Sequence, residues 1–235
     1  MRIFLLASIA AAALVSPAEA ATRNFGITSF EKVRVEGPFK VRLTTGVAPF
    51  ASASGSPAAI DKVAIEMRGN TLLVHASASS WGGYPGQGTG PVEISLGTHD
   101  LSAAWLNGSG ALAIDRIKGL SFDLSVQGSS VATIGRADVD QLSIAVVGTA
   151  NATLAGRAGM MTAVVRGISN LDASNLATKD ATIGAEGSAT VAANISNSVK
   201  VDGNGPVTLR FTGSPACTLR VGGSATVTGC KSTSE

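Results

Sequence analysis

The feature that most restricts this chain is a short pattern that returns about every twenty residues between Leu101 and Cys230. It runs apolar, x, apolar, x, Gly, then a small polar residue and a second alternating stretch. Its copies read WLNGSGALAI, LSVQGSSVATI, IAVVGTANATL, AVVRGISNLDA, IGAEGSATVAA, VDGNGPVTL and RVGGSATVT. They centre on Gly108, Gly128, Gly148, Gly167, Gly187, Gly205 and Gly223. A unit this small cannot bury its own apolar face and must stack on its neighbours, which makes the chain a solenoid.

The period inside each unit decides which solenoid. Apolar side chains fall two, four and six residues before the glycine, as in Phe122, Leu124, Val126 and Leu142, Ile144, Val146. Alternation resumes after it, with Leu112 and Ile114 or Val191 and Ala193. Period two means strands, so each unit holds two strands hinged at the glycine. A Leu-rich repeat would need regular Leu spacing with Asn or Cys ladders, and helical repeats would need longer units. The expected fold is therefore an all-β, right-handed parallel β-helix of about seven coils, with rungs roughly 4.8 Å apart. The glycines mark a corner where neighbouring backbones come close. Ser109, Ser129, Thr149, Ser188 and Ser224 follow it, either as an outward hydrogen-bonded ladder or simply as soluble turn residues. The many inward Ala residues predict a narrow, filled interior.

Aromatics make up 4% of the residues and charged residues 14%, against 28 Gly. Such a surface rests on Ser, Thr, Asn and Gly, which suits a stacked β protein. Met1-Arg2, an apolar run from Ile3 to Val15 and a small-x-small ending at Ala20 form a secretory signal, with cleavage expected after Ala20. That run is too short to span a bilayer comfortably, and the mature chain is expected to carry no membrane span. The protein is thus expected in the periplasm, outside the cell or on its surface. Its net charge of +2, spread along the chain, provides no footprint for nucleic acid.

Cys217 falls in the inward column of the last unit and Cys230 lies seven residues after Gly223. A bridge between them is the favoured reading over two free thiols; it would staple the final coil and contribute about 3 kcal/mol.

Residues 21–100 are less regular and more charged, as expected of a cap over one end of the stack, with 101–235 forming the repeats. Ala21 to Phe25 reads as a loose lead-in, followed by strand, bend and strand around Gly37-Pro38. Ala48 to Ser56 is small and polar, and Pro57 to Lys62 is expected as one helical turn. Val63 to Ala76 reads as a hairpin turning at Arg68-Gly69-Asn70, and Val92 to Leu96 as the strand leading into the repeats. The order FEKVRVEGPFKVRLTTG, VAIEMRGNTLLVHA, then PVEISLGTHDLSAAWLNGSGALAI, followed by Gly-Ser-anchored repeats, resembles the DUF2807 family, the auto-transporter adhesin head GIN domain. The resemblance covers about residues 27 to 230. It implies a right-handed β-helix in an exported bacterial protein and brings no catalytic residues with it.

Motifs for chemistry are sparse. His75 extends a strand and His99 sits in a corner, neither with metal-ligand spacing. No nucleophile elbow is present, and the Gly-rich corners lack the Asp of calcium-binding β-rolls. No catalytic residue, metal ligand or cofactor site is therefore expected. Parallel β-helices include carbohydrate enzymes, so Asp115, Asp123, Asp138, Asp140, Asp172 and Asp180 are candidates for a carboxylate pair. Only Asp138 and Asp140 are close in sequence, in a loop where Asp usually caps a turn. Convergence of the two with a basic residue in a cleft would favour the enzyme reading. Trp81 and Tyr84, in a Gly-rich stretch, either fold back over the end of the stack or are candidate contact residues. Trp105, on the outward side of its strand, either extends that surface or covers the first coil. Together these features predict a non-enzymatic envelope protein acting in adhesion, scaffolding or homo-oligomer contact, with an envelope protein or a glycan as partner. A carbohydrate-binding or carbohydrate-active β-helix using the side of the rod is the alternative.

Overall fold

The computed structural model describes residues 21–77 and 91–231. The first strands are β1 (Ala21–Phe25), β2 (Lys32–Glu36), β3 (Lys40–Thr45) and β4 (Phe50–Gly55). After the single turn α1 (Pro57–Ile60) come β5 (Val63–Arg68), β6 (Thr71–Ala76) and β7 (Glu93–Thr98). The repeats begin with β8 (Ala103–Gly108), β9 (Ala111–Ile114), β10 (Ile117–Gly128) and β11 (Val131–Gly148). They continue through β12 (Asn151–Gly167), β13 (Asn170–Gly187) and β14 (Thr190–Asn204). Three short strands, β15 (Thr208–Thr212), β16 (Ala216–Gly222) and β17 (Thr226–Thr228), end the stack.

Each repeat strand pairs in parallel with its equivalent one coil away. Asp123 to Gly128 align with Ser143 to Gly148, and Ser143 to Gly148 with Thr162 to Gly167. The long strands bend where the register shifts, as between Ile134 and Ala137. This is the expected parallel β-helix, of about six turns. The seven anchor glycines bound six intervals, and the last of them opens a rung that ends in the three residues of β17.

The seven anchor glycines line one edge. A β-carbon on Gly148 would stand 2.7 Å from the carbonyl oxygen of Gly128, and one on Gly167 would stand 2.5 Å from that of Gly148. Both residues also take positive φ, +101° and +89°, where L side chains are strained. Directly after the corner, Thr149 N–H donates to Gly128 O at 2.9 Å and Ile168 N–H to Gly148 O at 2.8 Å. The outward ladder is realised at Ser129 and Thr149, whose hydroxyls lie 3.1 Å apart.

Inside, in-register columns of small and medium apolar residues fill the shaft. Val126, Val146, Val165 and Ala185 follow one another and are fully buried. Such filling leaves no room for a ligand between rungs.

The N-terminal third is more ordered than the alternation of its residues predicts. Ala21–Phe25, expected as a lead-in, is strand β1 and pairs antiparallel with β4. β4 itself was hidden because its inward residues, Ala51 and Ala53, give a faint hydrophobic signal. The larger difference concerns order. The β2–β3 rung stacks on β8 and β9 on one side and on β6 and β7 on the other. It thus separates β7 from the coils it was expected to lead into. The glycine edge accordingly starts at Gly37, whose backbone nitrogen would lie 3.1 Å from a β-carbon on Gly108.

The two ends are finished differently. At the N-terminal mouth, Ser56 caps α1 by accepting from Ala59 N–H at 3.2 Å, and α1 buries Ala59 and Ile60. Arg23 pairs with Asp61 at 2.6 Å beside it. At the other end the inward residues Leu219 and Val221 remain 41% and 44% exposed. Cys217 and Cys230 are joined by a disulfide across this final rung.

Two stability measurements follow from this packing. Gly148→Val should cost about 3 kcal/mol or more in denaturant unfolding, because the substitution meets both backbone and a left-handed φ. Gly26→Ala, where a β-carbon meets nothing within 4 Å, should be tolerated. Replacing both cysteines by Ala should lower the unfolding free energy by about 3 kcal/mol.

Candidate functional site

A polar hollow on the side of the solenoid is built by register. Asp138 in β11 is level with Arg157 in β12, Ala177 in β13 and Asn194 in β14. The next outward column carries Asp140, Gly159 and Lys179. Val139, Ala158 and Thr178 point inward between them and are buried. Gly159 and Ala177 leave gaps among longer neighbours, and the result is a hollow of about 350 Å³ rimmed by Asp138, Asp140, Arg157, Lys179, Asn194 and Ser196. Gly159 is also demanded by the backbone, since a β-carbon there would lie 2.7 Å from Asp140 O.

Two of the charges of this hollow form an ion pair. Arg157 donates from Nε and Nη2 to the two oxygens of Asp138, at 2.7 and 3.0 Å. This bidentate contact is the strongest form of the guanidinium–carboxylate pair. It holds the Asp138 carboxyl below the usual carboxylate range, helped by the fields of Lys118 and Arg136. Asp138 and Asp140 thus share a cleft with basic residues, which is one condition for a carboxylate pair. The other condition is a carboxyl that keeps its proton near neutrality. Asp138 is shifted the opposite way, because its proton is displaced by the Arg157 guanidinium.

Three of the other candidate carboxylates are engaged in hydrogen bonds, Asp172 within its own turn and Asp115 and Asp180 with residues of other coils. Asp115 accepts from Thr45 N–H at 3.0 Å, and Asp172 accepts from Ser174 N–H at 3.1 Å. Asp180 accepts from Ser198 Oγ at 2.5 Å and from Asn197 Nδ2 at 2.7 Å. Ser198 and then Asn197 lower its pKa. Asp123 is exposed on the face that carries Trp105.

His75 Nδ1 donates to Ala76 O at 2.9 Å, while its Nε2 faces Glu66 Oε1 at 3.4 Å. His99 is exposed in its corner. Among the described residues no cluster of His, Cys, Asp and Glu is arranged to hold a metal ion.

Trp105 stands half-buried on the outward face, level with Arg34 on one side and Ser125 on the other. Trp81 and Tyr84 lie outside the described residues. Arg157 and Lys179 were not singled out by sequence reasoning, yet the repeat held the signal. Asp138 and Arg157 are 19 residues apart, one coil, so opposite charges at that spacing are neighbours on a stack.

With the geometry in place, the class is clear: a parallel β-solenoid with a filled shaft and a polar, small-residue exterior. The chain belongs to the family described as "Putative auto-transporter adhesin, head GIN domain" (DUF2807), whose model matches residues 29–215. A solved structure of a putative adhesin from Bacteroides fragilis is similar in fold, with a TM-score of 0.80 at 18% identity, covering 89% of this chain and 96% of that one. A putative adhesin from Parabacteroides distasonis gives 0.66 at 15% identity, with the same coverage of both chains. A protein titled a putative lipid binding protein, also from Parabacteroides distasonis, gives 0.59 at 16% identity, covering 88% and 95%. No curated protein matches the sequence.

The Asp138 pair has a measurable signature. Arg157→Ala should raise the Asp138 pKa back toward its ordinary value, read by a carboxyl NMR titration. Because the folded pKa is depressed, the pair's contribution to stability is present above the unfolded value of about 3.9 and is lost as pH falls through the folded one. The loss should be small, since both groups face water.

Proposed function

We propose that this protein is exported by its N-terminal signal, cleaved after Ala20, and acts without catalysis as an adhesive or scaffolding element of the bacterial envelope. The observation that carries this reading is the exterior of the rod. Columns such as Ser143, Thr162 and Thr182 lie in register along a rigid face. Short hydroxyl side chains fixed at rung spacing form a flat contact surface that loses little entropy on binding. The final-rung disulfide fits an oxidising compartment. Family membership and the adhesin titles of similar folds point the same way.

A glycan is the second reading, favoured by the hollow at Gly159. Its rim offers a carboxylate, an ammonium, an amide and a hydroxyl, the mixture that sugar hydroxyls pair with.

The envelope reading is tested on intact cells. Mass spectrometry of the exported protein should find Ala21 as its first residue, protease added outside should reach it, and deleting the gene should reduce attachment or weaken the envelope. A chain that keeps residues 1–20 and stays in the cytoplasm overturns the reading. For the second reading, glycan-array binding should fall about tenfold in Lys179→Ala, corresponding to one charge-assisted hydrogen bond. Unchanged binding removes the hollow from consideration.

A further inference from the structure

One face of the solenoid ends in an open edge on each side. Among the described residues, β5 pairs only with β6, and β16 only with β14. Between them the face runs β6, β2, β8, β10, β11, β12, β13 and β14 without interruption. The two free edges therefore lie at opposite ends of the same sheet. Open edges of this kind are templates for another strand.

Registers carry each column from one edge to the other. Ile65 stands opposite Val74, whose inward column passes through Val35, Leu106 and Val126 and ends at Val221. Met67, opposite Leu72, belongs to the inward column that ends at Leu219. Glu66, opposite Leu73, belongs to the outward column of Arg34 and Trp105, which ends at Arg220.

We propose that a second copy of this chain adds head to tail, its β5 pairing antiparallel with β16 so that the columns continue across the joint. Continuation places Ile65 on Val221 and Met67 on Leu219, covering the two apolar residues that the last rung leaves exposed. It places Glu66 on Arg220. At the flanks Ala64 meets Gly222 and Arg68 meets Thr218, so no like charges face each other.

One charge on each edge is complementary to the other, Glu66 on β5 and Arg220 on β16, the latter also level with Asp202 of β14. From Ala216 to Lys231 the terminal rung carries Arg220 and Lys231 and no acidic residue. Glu66 is bordered within its own chain by His75 at 3.4 Å and Arg68 at 3.6 Å. A tail-to-tail contact in the same columns would set Arg220 against Arg220, which is unfavourable directly across a strand pair. The opposite half of the N-terminal mouth carries the chain's own α1 and the Arg23–Asp61 pair, and the proposed joint uses the β5–β16 face alone. A head-to-tail contact is heterologous and does not stop at two copies; it grows as a filament unless it closes.

The inference rests on register and charge and not on the envelope reading, and its test uses purified protein, so the two fail separately. Sedimentation velocity over a concentration series should show mass rising past the dimer. Glu66→Arg and Arg220→Glu should each weaken association about threefold to tenfold, as expected for reversing one cross-strand pair. The chain carrying both reversals should return to within about twofold of wild type, because the pair is restored with its signs exchanged. Circular dichroism of all three variants should match wild type. Purely monomeric wild-type protein overturns the proposal. So does a species that stops at the dimer and responds to Arg220→Glu but not to Glu66→Arg, which would be a tail-to-tail contact. Failure of the double reversal to recover association overturns the pairing as well.

Discussion

The structure depends on the close approach of backbone to backbone along the glycine edge. At that corner the chain turns through a left-handed conformation while resting on the carbonyl of the coil beneath, and no side chain fits between. Once the corners coincide, the coils on either side have one register available to them. A slip by one residue would turn every inward valine outward. The edge therefore settles the alignment that the apolar columns then stabilise, and the filled shaft follows from alignment together with small side chains.

Alignment also decides what the surface can present. Residues one coil apart in sequence become neighbours about 5 Å apart in space, so the exterior is composed by repeat spacing. Arg157 meets Asp138 in this way, and Ser129 meets Thr149. Gaps arise by the same rule: Gly159 and Ala177 fall among longer residues and open the side hollow. The hollow is thus a property of four consecutive coils, and each contributes one or two side chains to it.

Much of this was legible in the amino-acid sequence, because stacking converts a linear period directly into three-dimensional columns. The corner glycines, the inward alternation, the helical turn after Ser56 and the Cys217–Cys230 bridge all sit where the repeat or the local turn chemistry puts them. The N-terminal third was read less well. β4 shows only Ala51 and Ala53 to the core, and β1 is recruited by an edge in need of a partner, which is a tertiary effect. The position of the β2–β3 rung was not legible, since periodicity identifies strands and says nothing of which rungs adjoin across a long stretch of chain. The hollow was half legible: Asp138 and Asp140 stood out as a pair, while their basic neighbours are visible only when charges are compared coil by coil.

The displaced rung bears on how the molecule is assembled in time. Glu31 and Ser102, 71 residues apart, are tied by a hydrogen bond where β2 meets β8. Until the ribosome has delivered Ser102 and the coil after it, β2 and β3 have no neighbour on that side. Closing so long a loop is slow. The later coils add locally, one upon the next, but the first cannot be completed in order of synthesis. The first rung of such a polypeptide is covered on its second side only after a part of the chain 71 residues further on has been made.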